Sequence, residues 1–239
     1  MSFDKNMRTI RVVAHLALAA LAIAGSAIEI ALPVAWSDSA GMLRYFTIQA
    51  NFLVAAVSLA EAARAAAGLR PGRLLSLARG MALMGIALTG LVFGLFLAPL
   101  WRPAGLLGVA NAIVHGWVPV LSFLVWAALD AKGRFRRSDA FAWTLFPLAY
   151  LAWSLAYGAA SGFYPYWFLD PSSPPPEGMG SAAGVAAFSA IASALYLALG
   201  FALVAADGAL ARVEGPALAR WIAGAFRSVF MQGGAKESE

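Results

Sequence analysis

The chain has no cysteine. Disulfides, a thiolate nucleophile and cysteine metal ligands are therefore excluded. Two histidines, His15 and His115, are too few for a histidine-rich metal site, and no metal or cofactor is expected. Charge is also scarce. Asp, Glu, Lys and Arg make up 12% of the 239 residues, where soluble domains run at about 25%. Lysine occurs only at Lys5, Lys132 and Lys236, outside the apolar runs, so no Schiff-base lysine is available to a retinal-type pigment. What remains is apolar: 62% of the residues are hydrophobic. That composition belongs to an integral membrane protein. The net charge of +5 is spread between apolar segments, which reflects membrane topology rather than nucleic-acid binding.

Six apolar segments reach the roughly 20 residues needed to cross a bilayer as a helix. They fall near 11–34, 45–67, 77–99, 107–129, 139–159 and 180–206. The runs are continuous instead of alternating, which predicts an all-α six-helix bundle and not a barrel. Pro119 and Pro147 are expected to kink the fourth and fifth spans. The first segment has a basic start and small residues at 24–27, as a signal peptide does, but its apolar run is too long and a retained helix is expected. Of the 17 basic residues, all but Arg44 and Arg102 fall on one side. The positive-inside rule then places both termini in the cytoplasm and the 33–44, 100–106 and 160–179 loops outside. Residues 1–210 form the membrane domain. In 211–239, the stretch PALARWIAGAFRSVF carries an apolar stripe expected to lie as an amphipathic helix on the cytoplasmic surface.

This topology sets the depth of the polar residues. Glu29, Thr47, Asn51, Asn111 and His115 come from different spans but share one band near the outer side. Ser154 and Tyr157 end the fifth span, and the following loop carries Tyr164, Tyr166 and Asp170. Polar groups inside a membrane usually face a bundle interior or a cavity, so a polar cavity open to the outer side is expected. Each residue also has a plainer role. Thr47 can bond the carbonyl one turn back. Asn51 and Asn111 can join helices. Glu29 can pair with Arg44 or Arg102, Glu61 with Arg64, and His15 can be a packing residue near the inner surface. Tyrosine and tryptophan at span ends suit an aromatic belt.

Together these groups suit a particular chemistry. A threonine hydroxyl needs a base to become a nucleophile, and histidine is the usual one. Asn51, Asn111 or backbone N–H groups are candidates to stabilise an oxyanion. Glu29 and Asp170 are both candidates to orient the imidazole.

Three stretches, RYFTIQANFLV, NAIVHGWVPVLSF and GFYPYWFLD, resemble the androgen-induced gene product family of six-span membrane threonine hydrolases, the third agreeing best with its prokaryotic branch. The resemblance implies that Thr47 is the nucleophile and His115 the catalytic histidine. It implies substrates such as fatty acid esters of hydroxy fatty acids. A lipid ester hydrolase of a bacterial inner membrane is therefore expected. Glu29, Asn51, Asn111, Ser154, Tyr157, Tyr164, Tyr166 and Asp170 would line the substrate site. The alternative is a non-catalytic lipid-binding or transport protein using the same cavity. It ranks lower because the inner halves of the spans look sparsely polar.

Overall fold

A computed structural model describes residues 2–33, 37–175 and 178–213. Among them no strand occurs and six helices are long and apolar enough to cross a membrane. Helix α1 runs Ser2–Ala31, a four-residue α2 spans Ser39–Met42, and α3 covers Phe46–Ala66. Helix α4, Arg73–Val92, continues through a π turn at Phe93–Leu97. The fourth span is composite: α5, Gly105–Ala112, passes through a second π turn, Ile113–Trp117, into α6, Val118–Leu129. Helix α7 is Arg137–Ser161 and α8 is Ala182–Val213.

The spans match the apolar runs in number and order, but most helices extend past them. The first begins at residue 2 rather than near 11. Hydropathy sees only the greasy stretch, whereas the helix continues into its charged end. The cytoplasmic amphipathic helix expected in 211–239 falls almost wholly outside the described residues.

Contacts define two ends of an up-and-down bundle. At the basal end, where α1 starts, Arg8 lies against Gly68 after α3, and Arg73 of α4 pairs with Asp139 of α7. There too Asp207 of α8 accepts the Arg134 and Phe135 N–H groups at 2.7 and 2.9 Å. At the distal end Arg44, ahead of α3, sits over the Tyr157 ring, and its carbonyl accepts the Tyr150 hydroxyl of α7 at 3.0 Å. Lipid tails are as apolar as leucine, so helix association in a bilayer rests on close packing and hydrogen bonds. Two glycines allow that approach. A Cβ on Gly80 would lie 2.0 Å from the Trp143 ring, whose Nε1 donates to the Leu77 carbonyl at 2.9 Å. A Cβ on Gly25 would lie 2.6 Å from Ile113, so α1 packs directly on the second π turn.

Both membrane prolines leave local marks. Pro119 has no N–H to give the carbonyl of His115, four residues back. The helix takes up the missing bond as a π turn, with the Val118 N–H reaching Ile113 O. Pro147 likewise frees the Trp143 carbonyl, which accepts the Tyr196 hydroxyl of α8 at 3.5 Å. The loop after α7 folds back: the single turn Trp167–Leu169 buries Phe168 and Leu169 in the core.

Candidate functional site

Thr47 stands in the first turn of α3 and His115 in the middle of the π turn between α5 and α6. Their side chains meet, with Thr47 Oγ1 3.2 Å from His115 Nε2. The other ring nitrogen, Nδ1, is 3.2 Å from the backbone carbonyl of Asn111. A carbonyl only accepts, so in the neutral imidazole Nδ1 carries the proton and Nε2 presents its lone pair to the threonine hydroxyl. That is the arrangement a general base needs. Phe93, opening the first π turn, stacks on the imidazole with ring centroids 4.0 Å apart and planes 22° apart. The ring is thus fixed on one face by an aromatic and at one edge by a backbone carbonyl. π turns within α-helices recur at functional positions, and here both lie at this one pair of side chains.

Asn51, one turn further along α3, is fully buried. Its amide donates to the Thr47 carbonyl at 2.8 Å and to the Val114 carbonyl at 3.3 Å. It therefore ties the helix of the hydroxyl to the turn of the imidazole. With its N–H groups so engaged, it does not face a substrate as an oxyanion donor. The role of orienting the imidazole, left open between Glu29 and Asp170, falls instead to the Asn111 backbone. Asp170 accepts the N–H and hydroxyl of Ser172 at 2.8 and 2.7 Å, holding its own turn. Glu29 is buried, and its Oε1 has no protein hydrogen-bond partner. It pairs with neither Arg44 nor Arg102, because it lies inside the bundle, and Arg102 turns back to the Ala98 carbonyl.

Thr47 and His115 open on a cavity of about 130 Å³ walled by α3, α4, α7, α8 and the folded-back loop. Its surface is largely apolar, from Phe46, Leu88, Val92, Phe93, Leu97, Leu151, Phe168, Leu169 and Phe188. Of the residues expected there, Tyr166 lines it beside Thr47 and His115. The others stand elsewhere. Asn51 and Asn111 lie behind the pair, and Ser154 is buried within the bundle. Tyr157 stacks on Trp153 under Arg44, and Tyr164 packs on Gly158. Sequence reasoning missed the α8 wall, including Ser189, whose buried hydroxyl has no protein partner. It also missed Phe93; an aromatic in an apolar run carries no signal of its partner.

The basal end holds a second polar group, contrary to the expectation of sparsely polar inner halves. His15 Nε2 lies 2.9 Å from Asp130 Oδ1, and Arg79 Nε donates to Asp130 Oδ2 at 2.8 Å. All three are buried. Burial pushes the Asp130 carboxyl up, but Arg79 and His15 outweigh it and hold the group well below the usual carboxylate range. Glu61 pairs with Arg134 at 3.2 Å rather than with Arg64, which turns to the Arg70 carbonyl. Among the described residues, no cluster of three or more His, Asp or Glu is placed to hold a metal.

The fold and composition define a multi-pass membrane protein of six spanning helices. No protein-family model matches the chain, and no curated protein or solved structure gives a significant match.

Proposed function

We propose that this protein is a membrane-embedded lipid ester hydrolase with Thr47 as nucleophile and His115 as general base. The observation that carries the reading is the bond from Thr47 to Nε2 of an imidazole whose Nδ1 is committed to a carbonyl. The chemistry follows from that arrangement. The ester carbonyl approaches the hydroxyl; Oγ1 bonds to its carbon as the proton passes to Nε2, and the carbonyl electrons move to oxygen. Collapse breaks the bond to the alcohol, which takes the proton from His115. Water then attacks the acyl-threonine by the same route, releasing the acid and restoring both side chains.

The apolar wall supports a fatty-acyl substrate, since ligand pockets are mostly apolar with a few placed polar groups. An apolar cavity of about 150 Å³ holds benzene, so the site takes the ester and a short stretch of chain, and the rest lies among the helices. Fatty acid esters of hydroxy fatty acids are one substrate class of this shape. The basic residues gathered at the basal end support a cytoplasmic placement of both termini, with the site towards the outer leaflet of a bacterial inner membrane.

The test is turnover of a panel of fatty-acyl esters by purified protein, with Thr47→Ala and His115→Ala beside it. Hydrolysis by wild type and its loss in both folded variants is the expected result. Absence of turnover on any ester, with lipid still bound, turns the reading to a non-catalytic lipid-binding or transport protein.

A further inference from the structure

The hydrolase reading leaves one requirement without an assigned residue: a donor for the negative charge that develops on the ester oxygen. A tetrahedral intermediate in a dry site needs such a donor, and removing one costs about 10²–10³ in kcat. The Asn51 amide is committed to two backbone carbonyls. In the cavity wall, the Thr89 hydroxyl bonds the Gly85 carbonyl, Tyr150 bonds Arg44 and Tyr196 bonds Trp143. Ser189 has a hydroxyl with no protein partner, but it stands on α8, which packs chiefly against α7 rather than α3. Tyr166 is different. It lines the cavity beside Thr47 and His115, and its ring meets that of Tyr45, the residue that caps the start of α3.

Resting on the hydrolase reading, we propose that Tyr166 is a catalytic residue, its hydroxyl donating to the oxyanion formed when Thr47 attacks an ester.

Three features favour this role. First, the position is rigid. The Tyr166 ring stacks on Phe168 at 5.1 Å and 11°, and meets Tyr45 edge-on at 5.7 Å and Tyr150 at 6.2 Å. A donor held before the reaction needs no reorganisation during it. Second, the N–H groups of Phe46 and Thr47 lie in the first helical turn, where they have no partner within the helix. That helix start carries partial positive charge at Thr47, so an oxyanion forming there beside the phenol is favoured. Third, the phenol keeps its proton. Burial pushes Tyr166 up to about 12. The phenol and Thr47 Oγ1 line the same cavity. As that oxygen bonds to the carbonyl carbon, the ester oxygen arrives beside the phenol and takes the hydrogen bond. The proton stays on Tyr166 throughout, and His115 alone carries the transferred proton.

Full-length protein in lipid nanodiscs, hydrolysing the best ester of the panel, tests this. Tyr166→Phe keeps the ring and its stacking, and kcat should fall about 100-fold or more with KM little changed. A series of fluorotyrosines placed at 166 alone should give kcat values that follow hydroxyl acidity while the phenol stays protonated. A residue with a packing role would not do this. Should Tyr166→Phe unfold, the fluorotyrosine series still decides. Wild-type turnover in Tyr166→Phe, or rates indifferent to fluorination, would overturn the proposal while the Thr47 and His115 variants show the hydrolase reading intact. If Thr47→Ala and His115→Ala also keep wild-type turnover, both fall together.

Discussion

Thr47 Oγ1 lies 3.2 Å from His115 Nε2, although 68 positions separate them in the chain. Two devices bring them together. The Asn51 amide joins the Thr47 and Val114 carbonyls. Pro119, by withholding an N–H, puts His115 in a π turn.

The Asn51 clasp has a measurable worth. Asn51→Ala removes both hydrogen bonds, each contributing about 0.5–1.5 kcal/mol. Unfolding in detergent should show a loss of about 1–3 kcal/mol. Asn51→Asp should be worse, because it sets a carboxylate oxygen against carbonyls that need a donor.

Pro119→Ala is expected to separate activity from stability. The restored N–H can bond His115 O, returning the span to regular α-helix and turning the imidazole off its line to Thr47. A displacement of 1 Å can cost about 10²-fold in rate. Ester turnover should drop on that scale while the thermal midpoint holds or rises. A variant as active as wild type would mean that the π turn is not needed.

Gly25→Leu tests the close approach of α1. Its side chain has no room against Ile113 and Val114, and overpacking of this kind costs about 1–3 kcal/mol. The π turn would be pushed from α1, so both the thermal midpoint and the ester turnover should fall.

The basal network sets a pH limit on stability. The folded Asp130 carboxyl is held below its unfolded value of about 3.9. Its contribution is then complete above that value and is lost as pH falls towards the folded value. Wild type should therefore destabilise only below about pH 4 from this group. Asp130→Ala leaves Arg79 and His15 buried without their partner and should cost about 3–5 kcal/mol at neutral pH. Thermal melts between pH 3 and 8 on both proteins check the two statements.

The spans were legible because a bilayer demands long apolar helices, and the band holding Thr47 and His115 followed from their order. Less legible was anything that depends on which face a helix turns inward. Glu61 has Arg64 one turn away, yet it takes Arg134 from a later loop. His15 looked like a packing residue because its partner Asp130 lies 115 positions on. The π turn at His115 had a visible cause in Pro119, but a proline in a helix can equally give a kink. Ser189 and Phe188 sit in an apolar run like any other, and only the packing of α8 shows that they face the cavity.

The most direct measurement is the site of covalent capture. Purified protein is treated with a fluorophosphonate, which traps an activated hydroxyl, and the modified residue is located by peptide mass spectrometry. The expected result is a single adduct on Thr47, absent in Thr47→Ala and formed at least 100-fold more slowly in His115→Ala, with both variants folded. An adduct on another residue, or ester turnover undiminished in folded Thr47→Ala, would contradict it.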